Sequence, residues 1–355
     1  MKKIIALLIA TLMLAALITG CGSTTPPAAD PAPAGSAAPA ASGDTTITST
    51  DKFSWNMSIS SGETSTWMIG ARKFAELINQ YSNGNITVTV FPSDSLSGGN
   101  QSKGVEQLMT GATDLTFHSN AIYTVMDEKF GAISLPFLYS SPEEAFEALD
   151  GAGGDVYEAM LKEKGIKLLG FGENGMRQLT TNVPINTLSD LQGLKIRCPN
   201  VPLWMETFQA LGANPLAMNF SEVFTSLQQG TIDGQENPLD AIVSSNLQEV
   251  QKYFCMWNYC YDIVIFGMNQ KLWDSLPADY QGAVAQAATE ACAYQVQVNR
   301  DKNAEHLKTV EALGVTATYP DEAAMAEFRT AVQPVIDKYT ALLGEETMAA
   351  FQPTK

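Results

Sequence analysis

Apolar positions along the central part of the chain switch repeatedly between helical and strand spacing. Phe74, Leu77 and Ile78 share one helical face in a stretch bounded by Thr66 and Tyr81, with Gly84 just beyond it, so a helix is expected there. Ile86 to Pro92, ITVTVFP, is β-branched and stopped by proline, which predicts a strand. A second helix is expected near Ser102 to Thr110, followed by the short strand DLTF. Ser141-Pro142-Glu143-Glu144 places a cap, a first-turn proline and acidic first-turn residues in order, and a helix should begin there. IKLLGF, RQLTT and LKIRC read as strands. Ala278 to Leu313 contains no proline and predicts one helix of about 36 residues, reaching ~54 Å. The alternation of strand and helix signals defines an α/β fold with mainly parallel sheets.

Two stretches fall outside that pattern. Lys2 and Lys3 precede an apolar run from Ile4 to Ile18, shorter than the ~20 residues a membrane-spanning helix requires, so the run reads as a signal peptide. The Ile-Thr-Gly-Cys that closes it resembles a bacterial lipobox, which makes Cys21 the expected lipidation site; the alternative is a plain secretory signal with an incidental cysteine. From Gly22 to about residue 51 the chain is rich in Ala, Pro and Ser and nearly devoid of large apolar side chains. Such a segment cannot bury enough surface to offset its ordering entropy and should serve as a tether. The folded body then begins near Lys52 and is long enough for two lobes.

Charge narrows the partners. The formal net charge is −17, with no Lys/Arg cluster to follow a phosphate backbone, so nucleic acid is not an expected partner. An anionic ligand would be repelled by the overall field and would have to be held by particular arginines. Beyond Cys21, the cysteines Cys198, Cys255, Cys260 and Cys292 are expected as buried thiols, disulfide pairing being the alternative. His118 and His306 are the only histidines and lack a partner motif; His118 is expected on the solvated surface, a place at the cleft edge being the alternative. No Cys/His spacing suits zinc and no Gly-x-Ser-x-Gly occurs, so neither an enzyme nor a bound metal or cofactor is expected.

Gly170-x-Gly172-x-x-Gly175 spells a dinucleotide-binding turn, but that turn must open a helix. Here Met176-Arg-Gln-Leu-Thr-Thr follows, which is β-prone, and Pro184 stops it. The glycines are expected instead to let a crossing between two strands turn tightly and deliver Arg177 to a fixed place. Twenty residues on, LKIRC ends a strand on Arg197 and Cys198. Two arginines at strand ends suit a carboxylate, which a guanidinium reads with two parallel hydrogen bonds; the alternative is that each pairs with a structural Asp or Glu.

The segment LGANPLAMNFSEVFTSLQQGTIDGQENPLDAI, following LKIRCPN and the upstream Asn-Gly-x-Arg-Gln, closely resembles the DctP-like solute-binding proteins of tripartite ATP-independent periplasmic (TRAP) transporters. The resemblance extends over about residues 52–350, with Phe224 where tyrosine is commoner and Tyr259 where many members have histidine. It implies a two-lobed, periplasmic-binding-protein-like clamp with a hinge-spanning long helix. The implied first lobe takes residues 52–174 and 263–302, and the second 175–262 and 303–355. It further implies binding of a small organic acid and its delivery to membrane permease subunits, from a position anchored by lipid to the outer face of the cytoplasmic membrane. A ligand-presenting subunit of a sensory system is the alternative use of the same fold.

By the same resemblance Arg197 is the ligand arginine, Arg177 the second arginine, Asn237 a ligand-reading amide and Phe220 an apolar contact beneath the ligand. Asn237 before Pro238 also reads as a helix N-cap. Trp67 and Trp204 are candidates for the pocket wall, with core packing as the alternative. Members specialised for sialic acid carry an acidic residue and an arginine where this chain has Ser119 and Ile122, so sialic acid is expected to bind poorly. A smaller acid with an apolar or aromatic body, a sugar acid or a dicarboxylate fits better.

Overall fold

The computed structural model describes residues 46–353; the signal segment, Cys21 and most of the expected tether lie outside the described residues. Within the end of that tether, the backbone amides and hydroxyls of Thr48 and Ser49 donate to the carboxylate of Asp279 at 2.6–3.0 Å. The chain is therefore held in place before Lys52.

The strands are β1 (Phe53–Ile59), β2 (Ile86–Phe91), β3 (Leu115–Ser119), β4 (Ile166–Met176), β5 (Gln178–Thr181), β6 (Lys195–Cys198), β7 (Asn214–Ala217), β8 (Gly234–Asn237), β9 (Tyr253–Cys255), β10 (Tyr261–Asn269) and β11 (Thr316–Thr318). They form two sheets, ordered β2-β1-β3-β10-β4 and β11-β9-β5-β8-β6-β7. The expectation of mainly parallel sheets needs correction. β10 runs antiparallel to both β3 and β4, and β5 antiparallel to both β8 and β9, so each sheet is mixed around one reversed strand. Apolar periodicity marks a strand but carries no sign of its direction, which depends on where the chain re-enters the sheet.

Local signals set the helices where expected. Thr66–Tyr81 is a helix whose N-cap Ser65 accepts from Met68 N, and Phe74 and Ile78 are fully buried beneath it. Pro142–Asp150 starts behind Ser141, whose hydroxyl accepts from Glu144 N. The long helix runs Ala278–Ala312, 35 residues. Its first half buries Tyr280, Val284, Ala287 and Ala291 in the core of the β1–β3 sheet, with Trp55, Phe74 and Phe266. Val310, near its end, packs with Phe254 and Val315 beside the second sheet. One helix thus serves both sheets.

The chain also passes between the sheets directly. β4 belongs to the first and β5 to the second, and Arg177 alone separates them. The glycines before it do not form the tight turn expected of them but lie inside β4. A Cβ on Gly172 would come within 2.4 Å of Phe117 Cζ, so only glycine lets the strand lie that close. Near Gly175 (φ +111°) the register against β10 jumps: Asp262 faces Gly175 while Ile263 faces Glu173. Asn174 is the extra, bulged residue, and a bulge re-aims its side chain away from the sheet's alternation. Here it points into a cavity.

Candidate functional site

That cavity, an empty space of about 390 Å³ including its mouth, is lined by Trp67, Ser119, Arg177, Arg197, Phe220 and Asn237, each of them expected at the ligand from the sequence. Ser60, Ser61, Gln101, Ile122, Asn174, Pro199, Trp204, Ala241 and Asp262 complete the wall. Both sheets contribute: Ser60 and Ser61 leave the C-terminal end of β1, and Arg197 sits on β6.

The two arginines are both buried but have opposite surroundings. Arg177 donates through Nε and Nη2 to the carboxylate of Glu236, through Nη1 to Asp262, and through Nη2 to Asn237 Oδ1 at 3.0 Å. Its guanidinium lies 4.2 Å from the Trp204 ring centroid. Burial pulls its pKa down, but the attraction of Glu236 and Asp262 outweighs that and leaves it well above the ordinary arginine value. For Arg177 the pairing with structural carboxylates therefore holds.

Arg197 is 1% exposed and has no carboxylate partner among the described residues. Its Nε and Nη2 donate to the Met218 carbonyl at 3.0 and 2.7 Å, and Nη1 makes no hydrogen bond among the described residues. Burial, with only distant compensation, pushes its pKa down to about 10, which still leaves it cationic at neutral pH. The Phe220 ring centroid stands 5.6 Å from the guanidinium carbon. Arg197 lines the cavity as a buried cation with Nη1 unpaired and no carboxylate counter-ion among the described residues, the arrangement that suits an incoming anion.

Other side chains hold the wall in place. Ser119 Oγ donates to Asp262 at 2.6 Å and accepts from Ala121 N, so its hydroxyl is committed within the protein. Asn174 Nδ2 donates to Asp262 at 2.7 Å, and its Oδ1 accepts from Trp67 Nε1 at 3.2 Å. Asn237 does not cap a helix: it ends β8, Pro238 is the N-cap of Leu239–Ser244, and its Nδ2 donates to Gln235 Oε1. The strand pairing of β8 with β5 extends through Asn237 and keeps its backbone extended. His118 is buried, not solvated, because β3 is covered on both faces; its Nε2 lies 2.9 Å from Asp94 Oδ1. The four described cysteines are buried free thiols.

Sequence reasoning missed Glu236, Asp262, Asn174, Ser60 and Ser61. Glu236 had a signal, a charged residue in a strand otherwise buried on both sides. Asp262 and the serines had none, since their roles arise from contacts between distant segments.

The description Bacterial extracellular solute-binding protein, family 7 (DctP) matches residues 57–342. The chain is 35% identical over 283 residues to a solute-binding protein of Roseobacter denitrificans, covering 78% of this chain and 86% of that one. It is 32% identical over 254 residues to the 2,3-diketo-L-gulonate-binding periplasmic protein YiaO of Escherichia coli, covering 71% and 77%. The crystal structure of the sugar acid binding protein DctPAm from Advenella mimigardefordensis in complex with galactonate matches with a TM-score of 0.82 at 30% identity, covering 85% of this chain and 97% of that one. The chain belongs to this family and is a DctP-like TRAP solute-binding protein with the two-lobed α/β fold. No helix among the described residues is long and apolar enough to cross a membrane.

Proposed function

We propose that the protein captures a carboxylate-bearing organic acid in the cavity between its two sheets and hands it to the membrane permease subunits of a TRAP transporter. The observation that carries this reading is Arg197: a residue 1% exposed, its guanidinium held by one carbonyl, with no carboxylate among the described residues to neutralise it. A buried charge without a partner is costly, and an arriving carboxylate supplies the partner. Arg177, already neutralised, positions the wall and lends its remaining Nη1 hydrogen. In this reading Phe220 packs under the acid, Trp67 closes its side, and Asn237 offers its second amide hydrogen. The galactonate held by the DctPAm relative supports the same class of ligand.

The lobes proposed are residues 52–174 with 263–302 and 175–262 with 303–355, joined at Arg177 and along the long helix. Cys21 is the proposed lipid anchor, which would keep the protein at the outer face of the cytoplasmic membrane beside its permease. No bond is made or broken; the work is done by higher affinity for the closed clamp.

Melting-temperature shifts test the carboxylate reading. A ligand at about 100 times its Kd should add about 2.7 kcal/mol of stability. Organic acids should shift the transition, and their primary amides should not. Arg197→Lys keeps the charge but loses the planar fork, and should abolish the shift while the protein stays folded. Equal shifts from acid and amide would remove the reading.

A further inference from the structure

The polar groups left over once every internal hydrogen bond is counted describe the rest of the ligand. Most of the cavity wall is already spent: Ser119, Asn174, Asp262, Arg177 and Trp67 bond to one another. Ser60 Oγ and Ser61 Oγ are not. Both are buried, at 5% and 3% residue exposure, both line the cavity, and neither hydroxyl has a hydrogen-bond partner among the described residues. Gln101, on the same wall, makes no side-chain hydrogen bond among the described residues. Buried hydroxyls are normally paired, and two adjacent unpaired ones on a cavity wall mark groups that a ligand satisfies.

Charge bears on the same question. Among the lining residues the charged ones are Arg177, Arg197 and Asp262, and Glu236 lies directly behind them. Two cations thus balance two carboxylates, and Arg197 is the single cation with a free face. One ligand carboxylate can be matched; a second would enter a site that holds Asp262 and no further cation. Serine hydroxyls and a glutamine amide would be its only partners, and in a water-poor cavity they do not replace a counter-ion. For an alcohol the same groups are well suited, since each hydroxyl both donates and accepts.

We infer that the ligand is a short polyhydroxylated monocarboxylate, gripped by Arg197 at its carboxylate, with Ser60 and Ser61 forming the subsite for its hydroxyl groups. This rests on the carboxylate reading above and selects among the acids that reading allows: it disfavours dicarboxylates and acids with an apolar or aromatic body.

Calorimetry on the purified full chain, stripped of ligand by dialysis, tests it with pairs that differ only in the terminal carbon: D-erythronate against meso-tartrate, and D-galactonate against galactarate. In at least one pair the monocarboxylate should bind at least about tenfold more tightly than its diacid. Ser60→Ala/Ser61→Ala should weaken that monocarboxylate about tenfold or more, while leaving a deoxy acid such as butanoate or hexanoate within about twofold of its wild-type affinity. A diacid or succinate binding as tightly as the monocarboxylate would overturn the charge argument. An equal loss for hydroxylated and deoxy acids would overturn the serine subsite. Binding of none of these acids would overturn the carboxylate reading itself, and this inference with it.

Discussion

Arg177 and Arg197 are alike in burial and differ by two carboxylates, and that difference predicts opposite responses to the same substitution. Arg177→Met would leave Glu236 and Asp262 buried without their cation, which typically costs about 3–5 kcal/mol. Arg197→Met removes a charge whose burial lowers its pKa from 12.5 to about 10, equivalent to about 3 kcal/mol of strain relieved. Against this, the Met218 carbonyl loses its donors, at roughly 1–3 kcal/mol. The two effects nearly cancel, so ligand-free Arg197→Met should unfold in urea within about 2 kcal/mol of wild type, while binding disappears. Should it unfold as readily as Arg177→Met, Arg197 is a structural residue and the binding assignment fails. Sequence spacing left the two arginines equivalent. What separates them is Glu236 and Asp262, which come from two other strands and are invisible as a pair until the sheets are assembled.

Elements were legible where their causes are local. The shared face of Phe74, Leu77 and Ile78 in the first helix, Ser141-Pro142 before a later one and the proline-free run of the long helix are local signals, and each appears as read. Strand direction and the bulge at Asn174 were not, because both depend on distant pairing: β4 meets β10 some ninety positions further along, and β5 meets β8 and β9 more than fifty positions on. The tether's end belongs to the same class: Asp279, in the first turn of the long helix, accepts four hydrogen bonds from Thr48 and Ser49, more than two hundred residues away. Those bonds, led by the Ser49 hydroxyl and amide, hold its carboxyl well below the ordinary carboxylate value. A depressed folded-state pKa means that this attachment contributes fully above the unfolded value and is lost as pH falls through the folded one. Protection factors of the Thr48 and Ser49 amides should therefore be flat from neutral pH down to about 4 and decline below it. Unchanged protection at lower pH would show that Asp279 is not what fastens the segment.

At the scale of the whole molecule, the proposed capture has the two sheets close over the acid, and contacts that join the sheets would reward that closure. Gln295 on the long helix bonds to both the amide and the carbonyl of Glu173 on β4, at 2.8 Å each. Asn299 and Arg300 hold the Glu173 carboxylate from the same helix, so the helix is clamped to the strand just before the chain crosses at Arg177. These contacts surround the crossing and would persist if the sheets swung apart. Asp240 is different. It sits on the short helix that follows β8 and accepts from the backbone amide and hydroxyl of Thr66, which opens the helix over the first sheet, both at 3.0 Å. It does not line the cavity, although its neighbour Ala241 does. Hydrogen bonds to a charged group are worth about 1.5–3 kcal/mol each when buried, and a binding protein's affinity falls by whatever the closed state loses relative to the open one. Asp240→Ala should therefore weaken ligand binding by about 10- to 100-fold without touching the ligand, and small-angle scattering should show a larger ligand-free radius of gyration that returns to the wild-type value on saturation. An unchanged Kd would mean that the Thr66–Asp240 contact persists in the open state and contributes nothing to closure.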